Sequence, residues 1–249
     1  MPTTILSRPI PRLLLLLALL TLSTHASSST LMDFTAVYQV EKYNSDIGRT
    51  TYQLQQDTGN AHFSLRTELT GFFALFRKDR ILEDSWLKTV NGELQLQRYS
   101  YTHEGSKRDR NTRLSIEWPA NTGPGVASGN HAGKDIRLEV SADVRDALSF
   151  QLSLMRDAAI ENHALDYAVL SKDELKHYSF RRAGSETLTI GNREIKTLVV
   201  ERQSGDRTTR LWLAPAYQYT PVKIELIEDD DSDTLMRIDT LTLSGKRVL

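Results

Sequence analysis

The chain of 249 residues is 39% hydrophobic and 25% charged, with 13 Gly, 7 Pro and no Cys. That composition excludes collagen, low-complexity and acidic disordered chains, and the lack of Cys excludes disulfides, thiolate metal sites, a cysteine nucleophile and a lipidated N-terminal cysteine. Lys+Arg number 31 against 32 Asp+Glu, so a net charge of −1 gives no overall attraction to nucleic acid.

Residues 1–30 read as an address. Arg8 and Arg12 are the only charges before Asp33. They precede an apolar run at 13–22, broken only by Thr21, that is half the length of about 20 residues needed to span a bilayer. Small residues follow, and Thr24-His25-Ala26 fits a cleavage site. Residues 1–26 are therefore expected to be a signal peptide. Cleavage leaves 223 residues (27–249) with a net charge of −3. No later stretch approaches 18 apolar residues, so no transmembrane segment is expected in the mature chain. Export without cysteine points to a Gram-negative periplasm.

From Asp33 onward the sequence alternates with period two. Phe34, Ala36, Tyr38 and Val40 form the first such stripe; a turn at 44–48 and a second run through Tyr52 and Leu54 follow. A turn at 57–60 leads to 62–69. Runs at 81–89 and 94–101 flank Asn91-Gly92, a strong hairpin signal because both residues tolerate positive φ. Further strands are expected at 113–118, 136–140, 166–170, 176–182, 186–190, 194–202, 207–213, 221–227 and 235–243. Residues 119–133 read as a Gly/Pro/Asn loop. Residues 144–160 break the pattern: their apolar spacing of three and four is helical, and Asp143 is placed to cap them. The expected fold is mainly β: one domain with a single antiparallel, strongly curved sheet, half-barrel or sandwich-like, and one helix at about 144–160. The helix is expected to pack on 167–170 and 178–180.

Chemical motifs are sparse. Gly123, Gly125 and Gly129 miss the dinucleotide spacing, because Ser128 stands where the third Gly belongs. Asp229, Asp231 and Asp233 fit the first calcium-loop positions, but Thr234 and Thr240 replace the required Gly and Glu, so a solvated hairpin tip is expected. His62, His103, His131, His163 and His177 show no metal-ligand spacing. No nucleophile elbow or phosphate loop occurs. Neither a metal nor a cofactor is expected, and no catalytic residue is assigned. The basic run from Lys107 to Arg113 sits at an expected hairpin end, either as a solvated turn or as a contact for anionic head groups. Phe72, Phe73, Leu75 and Phe76 cluster just after a strand, followed by Arg77-Lys78-Asp79-Arg80. They fit either plain core or an apolar lip at the mouth of a sheet.

Several short segments resemble, in the same order, the bacterial domain of unknown function 3108 family. They are the run from Val144 to Arg156 (Asp146-x-Leu148-Ser149, then a short helix ending in Arg), Tyr178-Ser179-Phe180, Leu211-Trp212-Leu213 and the run from Tyr219 to Ile224. Tyr38-Gln39-Val40 and the 113–118 strand before its Gly-rich loop also fit, so the resemblance covers about 33–245. It implies an exported, mostly β protein similar in plan to periplasmic lipoprotein carriers, in which a curved sheet half-encloses an apolar cavity beside a helix. It implies no catalytic residue. The leading expectation is a non-enzymatic periplasmic carrier for a lipid or lipoprotein ligand, with Phe72, Phe73, Phe76, Trp86 and Trp212 as candidate wall residues. The alternatives are an envelope assembly protein acting on a protein partner without a small ligand, and a hydrolase whose triad is assembled only in three dimensions.

Overall fold

The computed structural model describes residues 31–76, 79–120, 123–229 and 232–249, apart from the side chains of Phe73 and Phe76. The expected signal peptide, residues 1–26, lies outside the described residues.

The chain runs β1 (Phe34–Lys42), β2 (Ser45–Asp57), β3 (Asn60–Leu69), a short helix α1 (Gly71–Phe76), β4 (Arg80–Val90), β5 (Glu93–Glu104), β6 (Thr112–Glu117), β7 (Gly125–His131) and β8 (Lys134–Val140). It continues through β9 (Arg145–Asp146), α2 (Phe150–Ala158), β10 (Leu165–Ser171), β11 (Glu174–Ile190), β12 (Arg193–Ser204) and β13 (Arg207–Ala214). A 3-10 turn at Pro215–Tyr217 precedes β14 (Thr220–Ile227), β15 (Thr234–Leu243) and β16 (Lys246–Arg247). The described strands make one sheet in the order β8-β7-β6-β5-β4-β3-β2-β1-β15-β14-β13-β12-β11-β10-β9, with β16 beside β15. Pairing is antiparallel except for β9, which runs parallel to β10.

Period two explains the strands. On β1, Phe34, Ala36, Tyr38 and Val40 are buried, and Thr35, Val37 and Gln39 are more exposed. Asn91 and Gly92 both adopt positive φ (51° and 82°), as the hairpin requires. The sheet is open, but it curls. β4 and β9 lie ten steps apart in strand order, roughly 48 Å in a flat sheet. Yet the Ser85 hydroxyl on β4 donates to Asp146 Oδ1 on β9 at 2.8 Å. The face enclosed between them is therefore concave.

Three local expectations are revised. Residues 119–133 are not a loop throughout, because Gly125–His131 is strand β7. Its glycines are sites of close approach. A Cβ at Gly125 would lie 2.6 Å from the Trp118 ring, and one at Gly129 1.9 Å from the Arg113 carbonyl oxygen. Residues 176–182 and 186–190 belong to one strand, β11, which passes through a bulge at Gly184. The helix starts at Phe150 rather than 144, since Arg145 and Asp146 pair with Val169 and Leu170. Its N-cap is Ser149, not Asp143, and the Ser149 hydroxyl is occupied by the Asp146 N–H at 3.1 Å.

The helix packs where expected. Phe150 meets the rings of Tyr167, Tyr178 and Phe180 at 6.4, 5.2 and 6.0 Å. Leu148, Leu152, Leu154 and Met155 are buried.

Candidate functional site

The register across β2 to β7 defines three rows of side chains on the concave face. The deepest row is Leu54, Phe63, Ser85, Tyr99 and Leu114, all buried. The next is Tyr52, Leu65, Glu83, Tyr101, Thr112 and His131. Here Tyr52 and Thr112 are buried, while Leu65, Glu83, Tyr101 and His131 are partly exposed. The third row is Thr50, Thr67, Ile81 and His103, of which only Thr50 is buried. Exposure thus increases from the end that carries α2 toward the end that carries α1. The concave face is filled under α2 and open beyond it.

Asp146 anchors the filled half. Its Oδ1 accepts from the Leu148 N–H at 2.8 Å, the Ser149 N–H at 2.7 Å and the Ser85 hydroxyl. The neighbouring Arg145, also buried, donates to Ser153 Oγ at 2.7 Å and to the Asp143 and Val144 carbonyls at 2.8 and 3.0 Å. Arg156 joins Glu93 on β5, and its Nε lies 3.0 Å from Asp157. Arg182 on β11 covers the end of the helix by donating to the Ile160 carbonyl at 2.9 Å and the His163 carbonyl at 2.6 Å. The Arg-Asp-x-Leu-Ser motif is thus a clamp that fixes the helix to the sheet.

The open half has a different chemistry. Glu83 sits between Leu65 and Tyr101 and accepts a hydrogen bond from the Tyr99 hydroxyl. Burial pushes its carboxyl up to about 8, and the charge of Asp146 adds to the rise against the lowering effect of the Tyr99 bond. Glu83 is therefore mostly a neutral acid at pH 7, able to donate a hydrogen bond. Asp146 is also raised, by burial, and its Oδ2 has no hydrogen-bond partner. His103 Nδ1, buried as an atom, likewise has none. Burial raises the Tyr101 hydroxyl, and nearby Glu83 adds to this while Arg110 opposes it. Leu65, Ile81 and the Tyr101 ring supply apolar wall, the Glu83 carboxyl lies among them, and His103 Nδ1 is a polar atom without a partner.

The residues singled out from sequence are not brought together. Phe72 lies on α1, 69% exposed. The side chains of Phe73 and Phe76 lie outside the described residues. Trp86 is on the face opposite Glu83 and Ser85, stacked between His62 (5.3 Å between centroids) and the Arg98 guanidinium (4.7 Å from the ring). His62 and Trp86 border a groove of about 490 Å³ with Gln55, Asn60 and Arg98. Trp212, on β13, is six steps from β4 in strand order and only 2% exposed. Its indole N–H donates to Glu186 at 2.8 Å, and Lys223 lies 4.0 Å from the ring. It is locked into the wall of the fold.

The profile of a protein family described as "Protein of unknown function (DUF3108)" matches residues 34–238. The chain belongs to this family. The DUF3108 match spans β1 to the first half of β15, including the helix clamp and the open face. No curated protein matches the chain. Among the described residues no cluster of His, Asp and Glu is arranged to hold a metal ion, and no helix is long and apolar enough to cross a membrane. Asp233, from the acidic run, accepts the Glu228 N–H at 2.8 Å, as a hairpin tip does. Sequence reasoning missed Glu83, Tyr101 and His103. Their only signal was alternation within β4 and β5, and their meeting depends on the register between those strands.

Proposed function

We propose that this DUF3108 protein is an exported, non-enzymatic carrier of an amphipathic ligand, seated on the open half of the concave face. The change from buried Tyr99 to partly exposed Tyr101 and His103 carries this reading. It describes a trough closed at one end by the clamped helix and open at the other. An acyl chain would lie against Leu65, Ile81 and Tyr101, and the neutral Glu83 carboxyl would donate to an acceptor on the head group, such as an ester or phosphate oxygen. Phe72 and Leu75, exposed on α1 near the open end, would form its lip. Export rests on the basic and apolar pattern of residues 1–26, and a Gram-negative periplasm is the proposed location.

Native mass spectrometry of residues 27–249, purified from the periplasm of an expressing cell and followed by organic extraction, tests the reading. The expected result is a lipid-sized adduct that is lost in Ile81→Asp while the melting transition persists. A bare protein mass, with no thermal shift on adding envelope lipids, would overturn it.

A second reading, a protein partner that adds a strand, has one observation in its favour. Among the described strands β8 pairs only with β7 and stands at the end of the sheet. Lys134, Asp135, Arg137 and Glu139 charge that edge, a pattern that disfavours strand addition.

A further inference from the structure

We infer that the rim formed by α1 and the β5–β6 turn is a docking surface for an anionic lipid bilayer. Three observations meet there. First, α1 exposes its apolar side chains: Phe72 is 69% and Leu75 78% exposed. Apolar area this open on one helical turn gains by transfer from water to an apolar medium.

Second, the register places basic residues at the same end of the sheet. Arg80, the first residue of β4, pairs with Glu104, the last residue of β5. The 105–111 turn therefore lies beyond the start of β4, at the same end of the sheet as α1. It carries Lys107, Arg108 and Arg110 against a single acid, Asp109, whose carboxylate accepts the Asn111 N–H at 2.9 Å. All three cations are exposed, and none forms an ion pair among the described residues. Three arginines on β11 and β13 are ion-paired instead. Arg181 and Arg210 meet Glu201 at 2.6 and 2.9 Å, and Arg207 meets Glu228 at 2.6 Å. A local excess of exposed positive charge on a chain whose residues 27–249 carry net −3 suits an external anion.

Third, size selects the occupant. Two exposed side chains on a six-residue helix cannot supply the roughly 800 Å² per partner of a stable protein interface. They suit shallow, reversible insertion at the head-group boundary, with the neighbouring cations held by lipid phosphates. The rim is also the end at which the concave trough opens, so docking would bring that opening to the bilayer. The inference stands on the rim alone and survives whether or not the trough holds a ligand.

Flotation with vesicles tests it, using residues 27–249 so that the apolar run at 13–22 cannot itself partition. Binding is expected to phosphatidylglycerol-containing vesicles, to weaken at high salt, and to be weak on phosphatidylcholine alone. Leu75→Ser combined with Phe72→Ser is expected to lower partitioning at least about tenfold, and Lys107→Glu with Arg108→Glu by about tenfold or more, without a change in melting temperature. Equal binding to both vesicle types, or anionic-vesicle binding unchanged in both double variants, would overturn the docking surface, as would absence of binding to either vesicle. Adduct retention in the protein carrying Lys107→Glu and Arg108→Glu, neither of which lines the trough, is read by native mass spectrometry and reports on the trough separately.

Discussion

Replacing Glu83 by Gln should change how stability depends on pH, and the direction follows from its surroundings. In the unfolded chain this carboxyl titrates near 4.5, and in the fold it is pushed up to about 8. Between those values the unfolded state loses a proton that the native state keeps. The native state then binds more protons, so stability is fully present below about 4.5 and is lost as pH rises through 8. Each unit of the window corresponds to about 1.4 kcal/mol for one proton, and partial exposure of the side chain reduces the total to roughly 2–4 kcal/mol. Glu83→Gln keeps the shape and the partner for the Tyr99 hydroxyl but cannot ionise. Urea unfolding at a series of pH values from 5 to about 8.5 should show the variant gaining on the wild-type chain as pH rises, by roughly 2 kcal/mol or more at the top of the range. Parallel profiles for the two proteins would refute the account of Glu83 as a neutral acid in the trough.

Other substitutions probe the clamp and the sheet. Asp146→Ala leaves the Leu148 and Ser149 N–H groups and the Ser85 hydroxyl without their acceptor. Chemical denaturation should register a loss of about 3–5 kcal/mol, against about 1 for Asp146→Asn, which retains an acceptor oxygen. Gly129→Ala drives a Cβ into the Arg113 carbonyl and should cost at least about 2 kcal/mol. Gly123→Ala meets only Pro119 Cγ at 3.6 Å and should leave the melting temperature nearly unchanged. Trp212→Phe removes the bond to Glu186 and weakens the Lys223 contact, so thermal unfolding should show a loss of about 1–2 kcal/mol with ligand binding intact.

The strands were largely legible because alternation is a local signal. The stripe of Phe34, Ala36, Tyr38 and Val40, and the Asn91-Gly92 turn, each specify their own geometry. The glycines of β7 were misleading for a physical reason. Composition marks Gly125 and Gly129 as loop formers, whereas the space beside Trp118 and Arg113 makes them strand residues. Helical spacing likewise ran on through Arg145 and Asp146, but their backbone groups found partners on β10. The site was the least legible part. Aromatic residues drew attention to Phe72, Trp86 and Trp212, and each resides in a different setting: an exposed lip, a stacked ladder on the opposite face, and a buried wall. Glu83 and His103 acquire their character from neighbours on adjacent strands and from Asp146, some 60 residues on from Glu83, which one strand's pattern does not contain.

The central claim is that the open half of the concave face receives the apolar part of a ligand. Methyl NMR of residues 27–249, titrated with a single-chain phospholipid below its micelle concentration, tests this most directly. The account predicts saturable shifts at the methyls of Leu65 and Ile81, with little change at Ile195 on β12. Shifts confined to the opposite face, or none at Leu65 and Ile81 while the lipid binds, would contradict it.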